Sequence, residues 1–276
     1  MTASPRLLVP LLALALAACD PDGDSRFDGL DDGSHTTGTT RPGGDDDDDD
    51  DGRTTPQPNT TTSGGAQQCV VLYGGNDRVR GPDEGLPTAD DARTLQAWIR
   101  TTSLREQVAI SHGRPSPNQG FQLGTVDGLP MARTGSGLDQ VVGDVDVADD
   151  RWHHLAVAYD GRLAVLMVDG EIVGSGELTT DTLQGDVVAG NTPTGDLSRS
   201  WIGSLDDVRI FRGARTTADV SLDPDGEGVD ERFLTLWWDF EVDGGGPGIT
   251  VPDLSGNGHD GITAGANGSP SFVPCR

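Results

Sequence analysis

The chain has 276 residues and a formal net charge of −26 at pH 7, with 40 glycines, 17 prolines and 5% aromatic residues. This charge argues against nucleic acid as a partner, because phosphate contacts need a basic patch and the sequence contains none. The glycine and proline content indicates many turns, and the length suits one large β domain or two small ones.

The N-terminus has the features of a bacterial export signal. Arg6 precedes the apolar stretch Leu7 to Ala18, which is too short to span a bilayer. The sequence that ends at Cys19, Leu-Ala-Ala-Cys, resembles the bacterial lipobox, which implies cleavage before Cys19 and lipidation of that residue. We therefore predict a lipoprotein signal peptide over residues 1–18. The alternative is an ordinary secretory signal whose cleavage site happens to contain cysteine.

This signal places the protein in the bacterial cell envelope, anchored to a membrane by its lipid. The outer membrane or cell surface is favoured over the inner membrane, although Asp20 directly after the cysteine leaves inner-membrane retention open. Residues 19–68 then consist of Asp, Gly, Thr, Pro and Ser with almost no large apolar side chain, and include a run of seven aspartates. Such a segment cannot offset the entropy of ordering, so we expect a disordered spacer. Loose cation binding by the aspartates is the alternative, but they lack a fixed oxygen cage.

Short segments of alternating apolar and polar residues recur after Cys69, and Gly, Asp-Gly or Pro separates nearly all of them. This spacing is typical of a β-sandwich, so residues 69–276 are predicted to form one all-β, antiparallel, two-sheet domain. Only TTADV at 216–220 suggests a helical turn. The predicted strands are TLQAWIR (94–100), EQVAISHG (106–113), GFQLGTV (120–126), WHHLAVAYD (152–160), RLAVLMVDG (162–170), EIVGSGEL (171–178), SLDDVRIFR (204–212) and FLTLWWDFE (233–241).

Two Asp-Gly pairs, at 160–161 and 169–170, predict tight turns that join three of these strands in a meander. His153 and His154 are adjacent on the first strand of the meander, so their side chains should point to opposite faces of the sheet. They therefore cannot bind one metal ion by simple strand geometry. We predict structural roles for both histidines, with a catalytic role as the alternative.

The segment RWHHLAVAYDG at 151–161, followed by VDG at 168–170, resembles the signature of the laminin G-like, concanavalin A-like jelly-roll family. Other motifs occur in the family's order: GGNDRVRGP (74–82), TLQAWIR (94–100) and IGSLDDVRIFRGAR (202–215). The resemblance covers residues 69–276 and implies a jelly-roll sandwich. It also implies that Trp152 and one histidine of the pair pack or hydrogen-bond structurally.

The segment LTLWWDFEVDGGGPGITVPDLSGNGHDGITAG at 234–265 also resembles the family, but such a segment opens the domain in most members. Its position here indicates either a circular permutation, which we favour, or a truncated second copy of the domain. In the unpermuted order, the part that matches GHDGIT leads into the part that matches VVLYGGND. The resemblance therefore implies that the segments carrying Cys275 and Cys69 lie close together. It predicts a disulfide between them, because exported proteins can keep disulfides.

Related jelly-roll families often hold a structural calcium ion between a strand with a motif like D-D-V and a segment like F-E. This similarity would place Asp206, Glu241, Asp253 and Asn257 near such an ion, because calcium prefers several carboxylate and amide oxygens. The alternative is that these residues simply form turns, as Asp and Asn often do in β proteins.

The sequence has no motif of a known catalytic centre. The paired glutamates of many glycosidases are missing, and so are a nucleophile elbow, a phosphate loop and a zinc-spaced cluster. We therefore predict a non-catalytic, surface-tethered module that binds a glycan or a surface glycoprotein. Trp201, before a turn, is the predicted stacking residue, whereas Trp98, Trp237 and Trp238 are expected in the core. The alternatives are a structural or protein-binding lipoprotein without sugar affinity and, less favoured, a glycoside hydrolase.

Overall fold

The computed structural model describes residues 67–135, 139–222, 230–266 and 269–275. The predicted signal peptide, Cys19 and nearly all of the predicted spacer lie outside these ranges. The described chain forms two antiparallel sheets and one short helix, so the predicted all-β jelly-roll sandwich is confirmed. No helix in the described ranges has the length and apolar character needed to cross a bilayer.

Sheet A contains eight strands in the order β10-β9-β8-β3-β12-β1-β16, with β13 also paired to β12. β1 and β13 lie along the same edge of β12, because β1 pairs with its first half and β13 with its second half. The strands are β1 (Gln68–Tyr73), β3 (Arg93–Arg100), β8 (His153–Tyr159), β9 (Leu163–Val168), β10 (Glu171–Glu177), β12 (Ile202–Arg212), β13 (Leu234–Trp238) and β16 (Ser271–Pro274).

Sheet B also contains eight strands, in the order β14-β15-β2-β11-β4-β5-β6-β7. Its central strands are covered on both faces, since every residue of β4 is buried. The strands are β2 (Arg78–Pro82), β4 (Gln107–Gly113), β5 (Gly120–Val126), β6 (Leu129–Thr134), β7 (Gln140–Val142), β11 (Asp186–Ala189), β14 (Thr250–Val251) and β15 (Gly261–Ala264).

The predicted meander is present as β8, β9 and β10, which are neighbours in sheet A. Asp169 and Gly170 both adopt positive φ, at 51° and 83°, as a tight hairpin turn with right-handed strand twist requires. Asp127 and Gly128 form the same kind of turn between β5 and β6, at 52° and 81°. This last turn was not among those predicted, although it contains the same Asp-Gly signal.

The main hydrophobic core lies between the two sheets and contains side chains from both of them, together with Trp201 and Trp238 as its largest members. A smaller apolar cluster lies on the outer face of sheet A. There Val220 of the helix α1 (Thr217–Leu222) packs with Ala156, Val165 and Met167. The helical turn predicted around 216–220 is therefore present, and it covers part of sheet A.

The closing part of the chain contributes to both sheets. β13 pairs with β12, β15 pairs with β2, and β16 pairs with β1. Cys69 and Cys275 form a disulfide with Cα atoms 5.8 Å apart, which fastens the end of the chain to β1. The segment from β13 onward is thus an integral part of the sandwich. Its origin by circular permutation stays a prediction.

Candidate functional site

A groove of about 360 Å³ opens on the outer face of sheet B, where β2, β11 and β15 lie side by side. The register places Ile262 and Val188 on either side of Arg80, and it places Ala264 beside Arg78. The groove is lined by Arg78, Arg80, Gly81, Pro82, Asp186, Asp260, Ile262, Thr263 and Ala264.

The local sequence explains why two arginines line this groove. In the β2 sequence Arg-Val-Arg-Gly-Pro, Val79 is fully buried in the main core. Because side chains alternate across a strand, Arg78 and Arg80 must point to the opposite, outer face. Arg80 forms an ion pair with Asp186 at 2.7 Å, and both side chains remain partly exposed. Such a pair contributes little to stability but fixes the position of Arg80.

Arg78 differs from Arg80 in its partners. Its Nη1 donates to the carbonyl oxygen of Asn76 at 3.3 Å and to the side-chain oxygen of the same residue. Within the described part of the chain, Arg78 forms no ion pair, and its buried Nε has no hydrogen-bond partner. Burial lowers the pKa of Arg78, the positive charge of Arg80 lowers it further, and Asp186 offsets part of the effect.

The groove lies at one end of a row of side chains that crosses sheet B. The middle of the row is closed, since Ser111, Gln122 and Arg133 are all buried. Glu106 holds this part in place by pairing with Arg133 and, at 2.8 Å, with Arg199. Cross-strand neighbours in the row are Ile262, Arg80, Val188, Ser111, Gln122, Arg133 and Gln140.

A second cavity, of about 410 Å³, lies beside the connection between β2 and β3. Its two charged side chains are already engaged. The carboxylate of Asp91 accepts a hydrogen bond from the backbone of Thr88, and Arg212 donates to the carbonyl oxygen of Gly85. Both charged side chains are therefore tied to the backbone around the cavity.

Trp201 does not lie at the exposed position that its place before a turn predicted. The side chain is completely buried in the main core, and the backbone N–H of Trp201 donates to the carbonyl oxygen of Gly190. A ring enclosed between two sheets presents no face to a ligand. The prediction of a stacking role for Trp201 is therefore wrong, because its nearness to a turn did not reveal which face of the chain points inward.

The other tryptophans also differ in part from expectation. Trp238 is fully buried as predicted, but Trp98 and Trp237 are only half-buried on the outer face of sheet A. The ring of Trp98 packs edge-on against His154, with centroids 5.4 Å apart. The Arg209 guanidinium lies 4.8 Å from the ring centre of Trp237. Both rings thus already have partners within the protein.

The residues predicted to hold calcium have other contacts. The carboxylate of Asp253 accepts hydrogen bonds from the backbone N–H groups of Trp237, Ser255 and His259. The Asn257 amide nitrogen donates to the carbonyl oxygen of Leu234. These contacts are those of residues that shape a turn and fasten it to β13.

Asp206 and Glu241 do not complete a cage around Asp253. The Asp206 carboxylate accepts from the backbone N–H of Asp207, and the carboxylate of Glu241 accepts from the backbone N–H of Gln68 at 2.7 Å. Across the described ranges, no group of three or more carboxylate, histidine or cysteine side chains is arranged to hold a metal ion. Calcium binding therefore stays a prediction, and the contacts of these residues do not support it.

His153 and His154 have different surroundings. His153 lies between two carboxylates, with Nδ1 2.9 Å from an oxygen of Asp169 and Nε2 3.1 Å from an oxygen of Asp149. His154 is buried, packs against Trp98, and donates its backbone N–H to Asp169. These contacts fasten the start of β8 to the turn that follows β9, which is a structural role for both residues.

We expect the stability of the domain to depend on pH through His153. Burial lowers the pKa of His153, but the hydrogen bonds and negative charges of Asp169 and Asp149 outweigh burial, so the pKa is raised above 6.5. A raised folded-state pKa means that the stabilisation is complete below the unfolded pKa and is lost as the pH rises through the folded one.

Chemical unfolding of the protein between about pH 5.5 and 8.5 measures this effect, which should be about 0.5 to 1 kcal/mol, the scale of a partly exposed ion pair. His153→Gln should remove this part of the pH dependence. An equal dependence in the variant would contradict the assignment to His153.

The two antiparallel sheets define a jelly-roll sandwich domain with an open groove on the outer face of sheet B. A family model for the concanavalin A-like lectin/glucanases superfamily, in its laminin G-like branch, matches residues 73–221, and the chain belongs to this family. The predicted family resemblance is thus confirmed. None of the curated proteins matches the sequence.

Several solved structures are similar to this chain. One is from Bacteroides ovatus, a protein for which carbohydrate binding has been proposed, with 18% identity and a TM-score of 0.57 over 76% of this chain and 60% of that one. The chain thus spans less than two thirds of that protein. A pentraxin from Limulus polyphemus has 18% identity and a TM-score of 0.46, over 57% of this chain and 82% of that one. The CBM40 domain of a Ruminococcus gnavus sialidase has 16% identity and a TM-score of 0.45, over 56% of this chain and 96% of that one.

Proposed function

We propose that this protein is a non-catalytic glycan-binding module and that the groove on sheet B holds the sugar. The observation that carries the proposal is the groove itself, about 360 Å³ in volume, with arginines and aspartates beside an apolar Ile262. This volume lies within the range of about 300 to 1,000 Å³ that is usual for small-ligand sites.

The lining suits the two kinds of surface that a sugar presents. Ile262 is 46% exposed and Pro82 lies nearby, so the apolar C–H face of a sugar ring can pack against these two side chains. Arg80, Asp186 and Asp260 supply donors and acceptors for hydroxyl groups around it. The groove is rigid, because three paired strands form its floor and not mobile loops.

The family and the predicted export signal are compatible with this role. The superfamily includes lectins as well as glucanases, and carbohydrate binding has been proposed for the Bacteroides ovatus protein of the same fold. The lipobox-like sequence at Cys19 would anchor the protein in the cell envelope, with the acidic spacer extending the domain toward extracellular glycans. A structural or protein-binding lipoprotein remains the rival function.

Filling the groove should weaken sugar binding. Ala264 is half-buried and lies beside Arg78, so Ala264→Met places a long uncharged side chain in the groove. We expect the affinity for any glycan that the protein binds on a glycan array to fall at least about tenfold, or 1.4 kcal/mol. The melting temperature should change little, since the new side chain points away from the core.

The matched control is Ala148→Met, the same substitution at another half-buried alanine that does not line the groove. This control should keep the full affinity. Glycan binding that survives Ala264→Met would place the sugar elsewhere. A protein that captures no glycan on the array would contradict the proposed function and favour the rival one.

A further inference from the structure

The charged side chains of the groove differ in whether they pair with an opposite charge, and this difference indicates the class of ligand. The groove contains four charged side chains, from Arg78, Arg80, Asp186 and Asp260. Arg80 and Asp186 neutralise each other across 2.7 Å. Asp260 accepts a hydrogen bond from the backbone N–H of Asp253, yet remains exposed. Arg78 is thus the positively charged group in the groove that forms no ion pair within the described ranges.

Within the described ranges, five arginines form no ion pair with a carboxylate, and Arg78 is the one of these that lines the groove: Arg78, Arg93, Arg105, Arg114 and Arg212. The sequence contains 45 acidic residues against 19 basic ones, so carboxylates are abundant. In the described ranges, Arg100, Arg133 and Arg162 each form an ion pair with a carboxylate. The side-chain hydrogen bonds of Arg78 instead go to Asn76, which is neutral, and Arg78 lies close to the second positive charge of Arg80.

The position of Arg78 favours a negatively charged ligand. Its side chain is half-buried beside Ala264, and part of it is already removed from water. Folding has already removed this part of the guanidinium from water, so ligand binding does not have to do so. The attraction between the guanidinium and an anion is also less screened there than on an open surface. The planar guanidinium can also donate two parallel hydrogen bonds to a carboxylate or a sulfate.

We propose that the groove selects acidic glycans, with a carboxylate or sulfate group of the sugar bound to Arg78 and neighbouring hydroxyl groups bound to Asp186 and Asp260. This inference rests on the proposed glycan-binding function and concerns the same groove. The two aspartates also set a limit: a densely charged polyanion would be repelled by them, so the preferred ligand carries one acidic group among neutral sugars.

A glycan array of matched pairs tests this selectivity. Each pair consists of an acidic glycan and its neutral counterpart: uronic acids with their methyl esters, sialylated glycans with the desialylated forms, and sulfated glycans with the unsulfated forms. We expect the full-length protein to bind acidic members about tenfold or more tightly than the neutral ones. The first two kinds of pair report on carboxylates and the third on sulfate, so the array distinguishes the two sources of charge.

Arg78→Gln should remove the preference for the acidic member, while the melting temperature shows whether the variant is folded. Arg100→Gln is the matched control, since Arg100 is also a half-buried strand arginine but lies outside the groove. In the unmodified protein, raising NaCl from about 50 to about 500 mM should weaken binding of the acidic member more than that of the neutral one. This salt test needs no variant.

Each outcome bears on the inference. Acidic preference that is lost in Arg78→Gln and reduced by salt supports it. Equal binding of both members, blocked by Ala264→Met, overturns the acidic selectivity but leaves the proposed function in place. Acidic preference that persists in folded Arg78→Gln overturns the role of Arg78. Absence of binding to every glycan overturns both proposals.

Discussion

Cys275→Ser is expected to lower the free energy of unfolding by roughly 5 kcal/mol. The disulfide joins Cys69 to Cys275 over a sequence separation of 206 residues, so it restricts the unfolded chain strongly. The chain-entropy model gives a stabilisation that grows with the logarithm of the closed loop, which is the source of this value. The bond also holds β16 against β1 at an edge of sheet A, where the four residue pairs of their ladder are the main connection.

Urea unfolding of the protein with and without a reducing agent, beside the Cys275→Ser variant, measures the effect. Reduction and substitution should give the same loss of stability, because both remove the same bond. Cys19→Ser provides the matched control, since it removes the third cysteine and leaves the bond intact. A full-length protein whose stability does not respond to reduction, or peptide mapping that finds both thiols free, would contradict the disulfide.

Trp201→Ala should lower the free energy of unfolding by about 3 to 5 kcal/mol, as large-to-small substitutions of buried aromatic residues generally do. The Trp201 side chain has no exposed surface and belongs to the main core between the sheets. The variant would lose the transfer free energy of the indole and leave a cavity between the two layers. Glycan affinity, measured on the folded fraction, should stay unchanged because the ring does not line the groove.

Trp201→Phe is the control for ring size and polarity. The Trp201 Nε1 is buried and has no hydrogen-bond partner in the described ranges. Phenylalanine keeps much of the apolar contact and removes this unpaired donor, so its cost should be clearly smaller than that of alanine. Thermal melting of both variants gives the comparison. Unchanged melting together with lost glycan binding in Trp201→Ala would reverse the assignment of this residue to the core.

The strands that the sequence predicted share a strong periodic signal, and the missed ones do not. Segment 120–126 coincides with β5, and the Asp-Gly pair at 169–170 forms the expected hairpin turn. β14 is only two residues long, and β11 is four residues long between irregular segments. Such short strands exist because a neighbour in space offers a ladder of hydrogen bonds, and a local pattern cannot report that neighbour.

The candidate site was harder to foresee than the fold. Arg78 and Arg80 occur in a motif that the family resemblance already included, but nothing local to them indicates a groove. The groove exists because Ile262 and Ala264, from the far end of the chain, pair beside β2. The Trp201 prediction failed for a related reason, since a residue before a turn can point to either side and only the packed sheets decide which.

The amino-acid sequence by itself determined the family, the alternation of strands and turns, and the positions where charged side chains must point away from the core. The strands and the outward positions follow from period-two patterning, and the turns follow from the φ angles that Asp-Gly pairs allow. Only the tertiary structure decided which strands are neighbours, which outer positions stay open, and which arginines form ion pairs. The physical reason is that these properties depend on registers between distant segments, such as β2 with β15, and each register is fixed by burial of the whole sheet face.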